Sequence, residues 1–300
     1  MAEQENTRAG YAYGIGVYLL WGIVPLFFKL LDHVGAVEIV AHRIVWSVAF
    51  LFLLLIALGR LPKLAAAARS PKMLLTLSIS AALIAINWLI YIWAVTNEHI
   101  LAASLGYFLN PFVNIVLGVT ILGEKLRKMA VVAIAIAAAG VALLAFSALD
   151  TLWISVSLAL SFGLYSYVRK VTDVGAIEGL AVETTLLAPF FLAYLLWLGA
   201  QGGLAFRAVD MTTDALLISA AIVTSIPLML FAAAARRLTL TTLGFIQYIA
   251  PTMAFLIGAF VYNEPLDTPK LICFACIWIA IALFTADNVR QARSRRVVPV

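Results

Sequence analysis

Ten apolar runs of about 20 residues, joined by short polar turns, decide what this chain can fold into, because a hydrocarbon core about 30 Å thick takes roughly 20 residues of α-helix to cross. They fall near Tyr11–Phe28, Ile39–Leu58, Met73–Val95, Ser104–Leu122, Met129–Leu149, Leu152–Val168, Leu180–Ala200, Ala215–Ala235, Leu240–Tyr262 and Leu271–Ala286. Gly59-Arg60-Leu61-Pro62, Gly123-Glu124-Lys125 and Asn263-Glu264-Pro265 punctuate the joints. Hydrophobic residues make up 64% of the chain and charged ones 12%, against roughly 45–50% and about 25% in soluble domains. A soluble globule of this length could not cover its outside with polar groups. The sequence therefore predicts an all-α polytopic membrane protein of ten transmembrane helices with no separate soluble domain. The first run exceeds the 7–15 residues of a signal-peptide core and contains Trp21 and Pro25, so it is expected to stay attached.

Orientation follows from the basic residues. With the N-terminus inside, all of the 20 Lys and Arg except Lys29, Arg43, Arg207 and Lys270 fall on one face, and excess positive charge stays cytoplasmic. Ten spans then leave both termini cytoplasmic. The net charge of +5 reflects this topology and gives no reason to expect nucleic acid as a partner.

The chain also repeats itself at an offset of about 140 residues. Pro111, Gly118, Glu124 and Leu126 recur at identical spacing as Pro251, Gly258, Glu264 and Leu266. Gly22 through Lys29 parallels Gly163 through Lys170, and Glu38-x-x-Ala41 parallels Glu178-x-x-Ala181. Each half, 1–149 and 150–300, holds five spans. An odd number forces the second half to insert upside down, giving an inverted repeat with a substrate site expected at the interface between halves.

Polar groups inside spans are the candidates for that site, because lipid offers them no partner. Tyr107, Asn110 and Asn114 share one helical face, with Pro111 among them as an expected helix break, mirrored by Pro251. Asn87, Trp88 and Tyr91 lie on the third span, Gln247 and Tyr248 on the ninth, and Tyr18, Trp21 and Tyr165 could complete a lining for an amphipathic cargo. Aromatics also form interfacial belts, which applies to Trp88, Trp93, Trp153 and Trp197. Among the charges, His42 and Arg43 sit at the outer end of span two, while Glu183 follows a loop carrying Arg169 and Lys170. These four, His42, Arg43, Arg169 and Glu183, are candidates for gating or ion pairing, and His42 is a group that could carry a coupling proton. Gly118 and Gly258 suit close packing within one copy or at a dimer face alike, so oligomeric state stays open.

Other chemistries find no support. No GxxxxGK[ST], HExxH or GxSxG is present, and His33, His42 and His99 lack metal-ligand spacing. Cys273-Phe274-Ala275-Cys276 lies in an apolar helix and reads as packing. No cofactor, metal or catalytic residue is expected. The reading is a secondary transporter for a small organic solute, with a membrane-embedded enzyme or lipid scramblase as the alternative.

Several strings together carry a family resemblance: His42-Arg43-Ile44-Val45-Trp46-Ser47, Asn87 through Val95, Ser104-Leu105-Gly106-Tyr107-Phe108-Leu109-Asn110-Pro111, Leu122-Gly123-Glu124, Tyr165 with Val168-Arg169-Lys170, and Gln247-Tyr248-Ile249-Ala250-Pro251. The chain resembles the RarD branch of the EamA-type drug/metabolite transporter superfamily over nearly its whole length. The resemblance implies a bacterial inner-membrane permease whose two inverted five-helix halves surround a central cavity, and it implies export. It leaves the cargo open.

Overall fold

In the computed structural model, residues 2–97, 99–146, 149–261 and 268–297 are described, and all regular structure among them is helical. The helices are α1 (Ala2–Lys29), α2 (Ala36–Ala57), α3 (Leu61–Arg69), α4 (Pro71–Thr96), α5 (Ile100–Thr120), α6 (Lys128–Phe146), α7 (Leu152–Val171), α8 (Ala176–Ala200), α9 (Met211–Ala235), α10 (Leu240–Gln247), α11 (Ile249–Phe260) and α12 (Thr268–Val297). Ten stretches are long and apolar enough to cross a membrane, with α10 and α11 together forming the ninth, Leu240–Phe260.

The helix ends depart from the hydropathy ruler for local reasons. α1 begins at Ala2 rather than near Tyr11, since the Ala, Glu and Gln of its first turns favour helix in water. α2 begins at Ala36 rather than Ile39, and Glu38 in its first turn opposes the helix dipole. The joint after span two folds into α3, nine residues with proline in the first turn. The break expected at Pro111 does not occur, because α5 runs unbroken through it. A single missing N–H within a packed span is tolerated when neighbouring helices hold both flanking turns. The ninth span is the interrupted one, at Tyr248. Pro251 cannot donate to the Gln247 carbonyl four residues back, so the ladder is cut there. The Asn263-Glu264-Pro265 joint and Leu266 lie outside the described residues.

Contacts between helix ends define two faces. On the basic face, Arg60 after α2 meets Glu178 at the start of α8, Arg236 after α9 meets Asp173 before α8, Glu124 after α5 meets the start of α10, and Arg127 meets Asp287 of α12. On the opposite face, Glu38 of α2 meets Ala205 and Phe206 before α9, and Ser155 of α7 meets Ala102 of α5. α2 therefore ends on the face where its repeat counterpart α8 begins, and the halves are inverted.

Packing obeys the same symmetry. With the 140-residue offset, α1 corresponds to α7, α2 to α8, α4 to α9, α5 to α10 plus α11, and α6 to α12. α1 packs on α9 as α7 packs on α4; α1 packs on α10 and α11 as α7 packs on α5; α2 packs on α9 as α8 packs on α4. The pairs α2 with α8, α5 with α10, and α6 with α12 cross the pseudo-axis itself. One feature breaks the symmetry. The largest buried apolar cluster, including Leu51, Leu55, Phe162, Tyr165, Leu180, Phe231, Leu240 and Leu243, lies towards the basic face and closes that end of the bundle.

Candidate functional site

Arg43 and Glu183 are each the eighth residue of their helix, α2 and α8, so they occupy equivalent positions in the two halves with opposite charges. The two groups differ in their surroundings: Glu183 is at a sealed end, and Arg43 lies beside two exposed tyrosines.

Glu183 is at the sealed end. Its carboxylate accepts from Ser80 Oγ of α4 at 2.6 Å and from Arg169 Nη1 of α7 at 3.2 Å, and the Tyr165 hydroxyl reaches it as well. The Arg169 and Glu183 side chains are 1% and 2% exposed. Gly179 makes the arrangement possible, because a Cβ there would stand 2.1 Å from Arg169 Nη1. One turn outward, Glu178 holds Arg60 Nε at 2.8 Å, bridging a cleft of about 470 Å³ between α3 and the α7–α8 turn. Lys170 donates to the carbonyls of Ala235, at 3.1 Å, and Leu238 at the C-terminal end of α9, where a cation suits the helix dipole.

Arg43 lies among aromatic rings near the other end of the bundle. Its Nε donates to Thr224 Oγ1 of α9 at 2.7 Å. The threonine hydroxyl in turn donates to Ala220 O at 2.7 Å, which turns its oxygen lone pairs toward the guanidinium. The guanidinium carbon is 5.1 Å from the Phe28 ring centre and 5.2 Å from that of Trp88, within cation–π range. Tyr91 of α4 and Tyr107 of α5 face the same charge. Their rings are 6.0 Å apart, and they are 39% and 47% exposed.

The remaining candidates join helices and do not face open space in this structure. Asn114 Nδ2 donates to Gln247 Oε1 at 2.9 Å, both side chains buried, tying α5 to the α10–α11 junction. Asn87 Nδ2 donates to Leu158 O at 2.9 Å and Ser161 Oγ at 3.0 Å, tying α4 to α7. Asn110 and Tyr248 are buried, the Tyr248 hydroxyl reaching Phe108 O at 3.4 Å. Tyr18 is buried in the basic-face cluster, where Trp21 packs on Phe162 and Phe231. The structure thus divides the residues that the sequence gathers into one lining: Tyr91, Tyr107 and Trp88 surround Arg43, while Tyr18, Trp21 and Tyr165 pack at the sealed end. His42 turns away from Arg43; its Nδ1 accepts from Trp46 Nε1 at 3.1 Å, and its Nε2 is 3.7 Å from Glu38 Oε1. Gly118 packs within the monomer, since a Cβ there would meet Glu124 Oε2 at 2.6 Å.

Sequence reasoning passed over Phe28, Ser80 and Thr224, and met Glu124 only as part of the repeat and of a joint. No motif marks the first three. The repeat does mark Phe28, which aligns with Arg169 when Gly22 is set against Gly163.

An EamA-like transporter family model matches residues 8–146. A RarD protein of Streptomyces exfoliatus is 43% identical over 99% of this chain and 94% of its own length. The RarD protein of Escherichia coli K12 is 41% identical over 97% of this chain and 98% of its own. The chain belongs to the EamA-like transporter family, in its RarD branch. An uncharacterized transporter of Pseudomonas aeruginosa is 43% identical over 96% of this chain and 97% of its own. A solved crystal structure, 19% identical, superposes with a TM-score of 0.70 over 91% of this chain and 96% of that one, and it shows the same fold. Like other members of the EamA-like family, the chain is a multi-pass membrane transporter.

Proposed function

We propose that this RarD-branch protein is a secondary carrier that moves a small amphipathic organic solute outward across the bacterial inner membrane by alternating access, with the basic face and both termini in the cytoplasm. The observation that carries the reading is the contrast between equivalent ends of an inverted repeat. The Glu183 end is sealed by a buried ion pair and the largest apolar cluster, while the Arg43 end keeps two tyrosines exposed beside a cation. An inverted repeat reaches its second state by exchanging the conformations of its halves, so a bundle whose two ends differ in this way fits one member of a mirrored pair. Residues 1–149 and 150–300 are the exchanging units. Lys and Arg on the basic face support the cytoplasmic assignment, and the direction of transport is taken from the family resemblance.

Two-sided accessibility tests this. In a Cys273→Ala/Cys276→Ala background, Tyr107→Cys should react with an impermeant maleimide added from the periplasmic side, and Leu180→Cys from the cytoplasmic side. Locking either site by crosslinking should suppress labelling at the other. Simultaneous, independent labelling of both sites would mean an open pore and would reject the carrier.

A further inference from the structure

We infer that Arg43 and the aromatic side chains around it form a binding site for the carboxylate of a net-anionic, aromatic or amphipathic organic solute. This deepens the carrier reading by naming the class of cargo, and it rests on that reading only for the word cargo.

The argument begins with the cost of a charge inside a membrane span. A guanidinium stays protonated, and a charge in that setting is stable only when paired or hydrated. Three other charges within the spans have partners. Arg169 pairs with Glu183, Lys170 caps carbonyls, and Glu38 accepts from two backbone N–H groups. Arg43 has a neutral hydroxyl and two ring faces, and among the described residues no carboxylate pairs with it. Nε is committed to Thr224. The two Nη groups are left without a protein acceptor among the described residues, and the nearby Tyr91 and Tyr107 are exposed.

The repeat shows what is missing. Arg43 corresponds to Glu183, and the hydroxyl of Thr224 on α9 stands to Arg43 as that of Ser80 on α4 stands to Glu183. In the second half the counter-charge comes from Arg169 on α7. The aligned position on α1 is Phe28, whose ring lies against the Arg43 guanidinium. One half therefore neutralises its buried charge internally, and the other puts an aromatic ring where the counter-ion would be.

Chemistry at the site then selects the ligand. A guanidinium with free Nη donors suits a carboxylate, whose oxygens accept charge-assisted hydrogen bonds. Phe28, Trp88, Tyr91 and Tyr107 offer ring faces and edges to an apolar or planar body. A zwitterion would also need an acid for its ammonium group. The nearest carboxylate on α2, Glu38, is already engaged by Ala205 and Phe206, so a net anion fits better.

The test compares the charge selectivity of the purified full-length protein for indole-3-acetate, indole-3-acetamide and tryptamine, read as the ligand-dependent rise in Tm, which reports affinity through linkage. The anion should bind roughly tenfold or more tighter than the amide, the scale of a charge-assisted hydrogen bond, and tryptamine should bind weakest. Arg43→Gln should abolish the preference for the anion over the amide. Phe28→Glu, which supplies the absent counter-ion, should also abolish it and so keeps the test decisive if Arg43→Gln fails to fold. Equal binding of acid and amide, preference for tryptamine, binding of none of the three, or an anion preference that survives both variants would overturn the inference. A protein that binds the anion through Arg43 but shows no alternating accessibility refutes the carrier and leaves the site standing. One that alternates but prefers the amide refutes the site alone.

Discussion

Glu183→Gln removes one charge from a pair whose members are 1% and 2% exposed. Arg169 keeps only a 3.4 Å contact to Ala176 O and the neutral amide. Breaking a buried ion pair by deleting one partner costs about 3–5 kcal/mol, because the other charge is left uncompensated. Glutamine still accepts from Ser80, so the low end applies, about 3 kcal/mol. Under the alternating-access proposal, the penalty exists only while the basic face is shut, since opening would hydrate Arg169. Nearly all of it should therefore appear as a shift between states, about two orders of magnitude toward the cytoplasm-open form. Leu180, 3% exposed within the sealing cluster, is the reporter. Maleimide labelling of Leu180→Cys from the cytoplasmic side should accelerate strongly when Glu183→Gln is added. The double variant Arg169→Met/Glu183→Leu should do the opposite, because an apolar pair of similar volume often holds a buried contact as well as or better than the ions do. Its labelling should be no faster than in the parent, with transport lost. Unchanged labelling in Glu183→Gln would mean that the pair is static and that the apolar cluster alone closes this end.

Gly179→Ala places a Cβ 2.1 Å from Arg169 Nη1 and should reproduce the Glu183→Gln labelling phenotype without changing any charge; wild-type labelling would show that the guanidinium can move aside freely. Glu124→Ala strips the cap that accepts from the Leu240 and Thr241 N–H groups and the Thr241 hydroxyl, and should lower stability by about 1–2 kcal/mol, read as a drop in Tm. Asp210, outside the spans, has its carboxyl held below the usual carboxylate range by hydrogen bonds from Thr213. Its cap therefore contributes fully above the ordinary carboxylate pKa and is lost as pH falls through the lowered value. Asp210→Ala should lower Tm at neutral pH, with the gap closing in acid; a gap independent of pH would rule out the ionised cap.

The helices were legible because lipid imposes a strict rule on each span, and their ends were less so because caps and propensity act outside it. Ala2 to Gly10 are helical without being apolar, and the amphipathic α3 is too short to register as a span. Inversion was legible from the odd count of spans per half. Side-chain direction was not. Asn87 and Asn114 have the composition of a cavity lining, yet they join α4 to α7 and α5 to α10; which neighbour an amide meets depends on the rotation of both helices, which a single sequence leaves free. Arg169 and Glu183 could be put together from charge and a short loop. Phe28 and Thr224 could not, being common residue types whose meaning comes from the cation they contact.

Two kinds of asymmetry between the halves carry different information. Lys29 and Lys170 are the same residue at aligned positions. Lys170 caps α9, while Lys29 is 63% exposed and 3.8 Å from Asp32. Identical chemistry in unlike surroundings is what a change of state exchanges, so under the carrier reading Lys29 belongs to the closing contacts of the other conformation. Arg43 and Glu183 show the converse, unlike charges at equivalent positions, each beside a hydroxyl from the equivalent helix. No exchange of conformations can make these two alike. Under the carrier reading that difference persists through the whole cycle, and under the proposal above it is the fixed positive charge of the first half, rather than any moving contact, that selects a solute by charge.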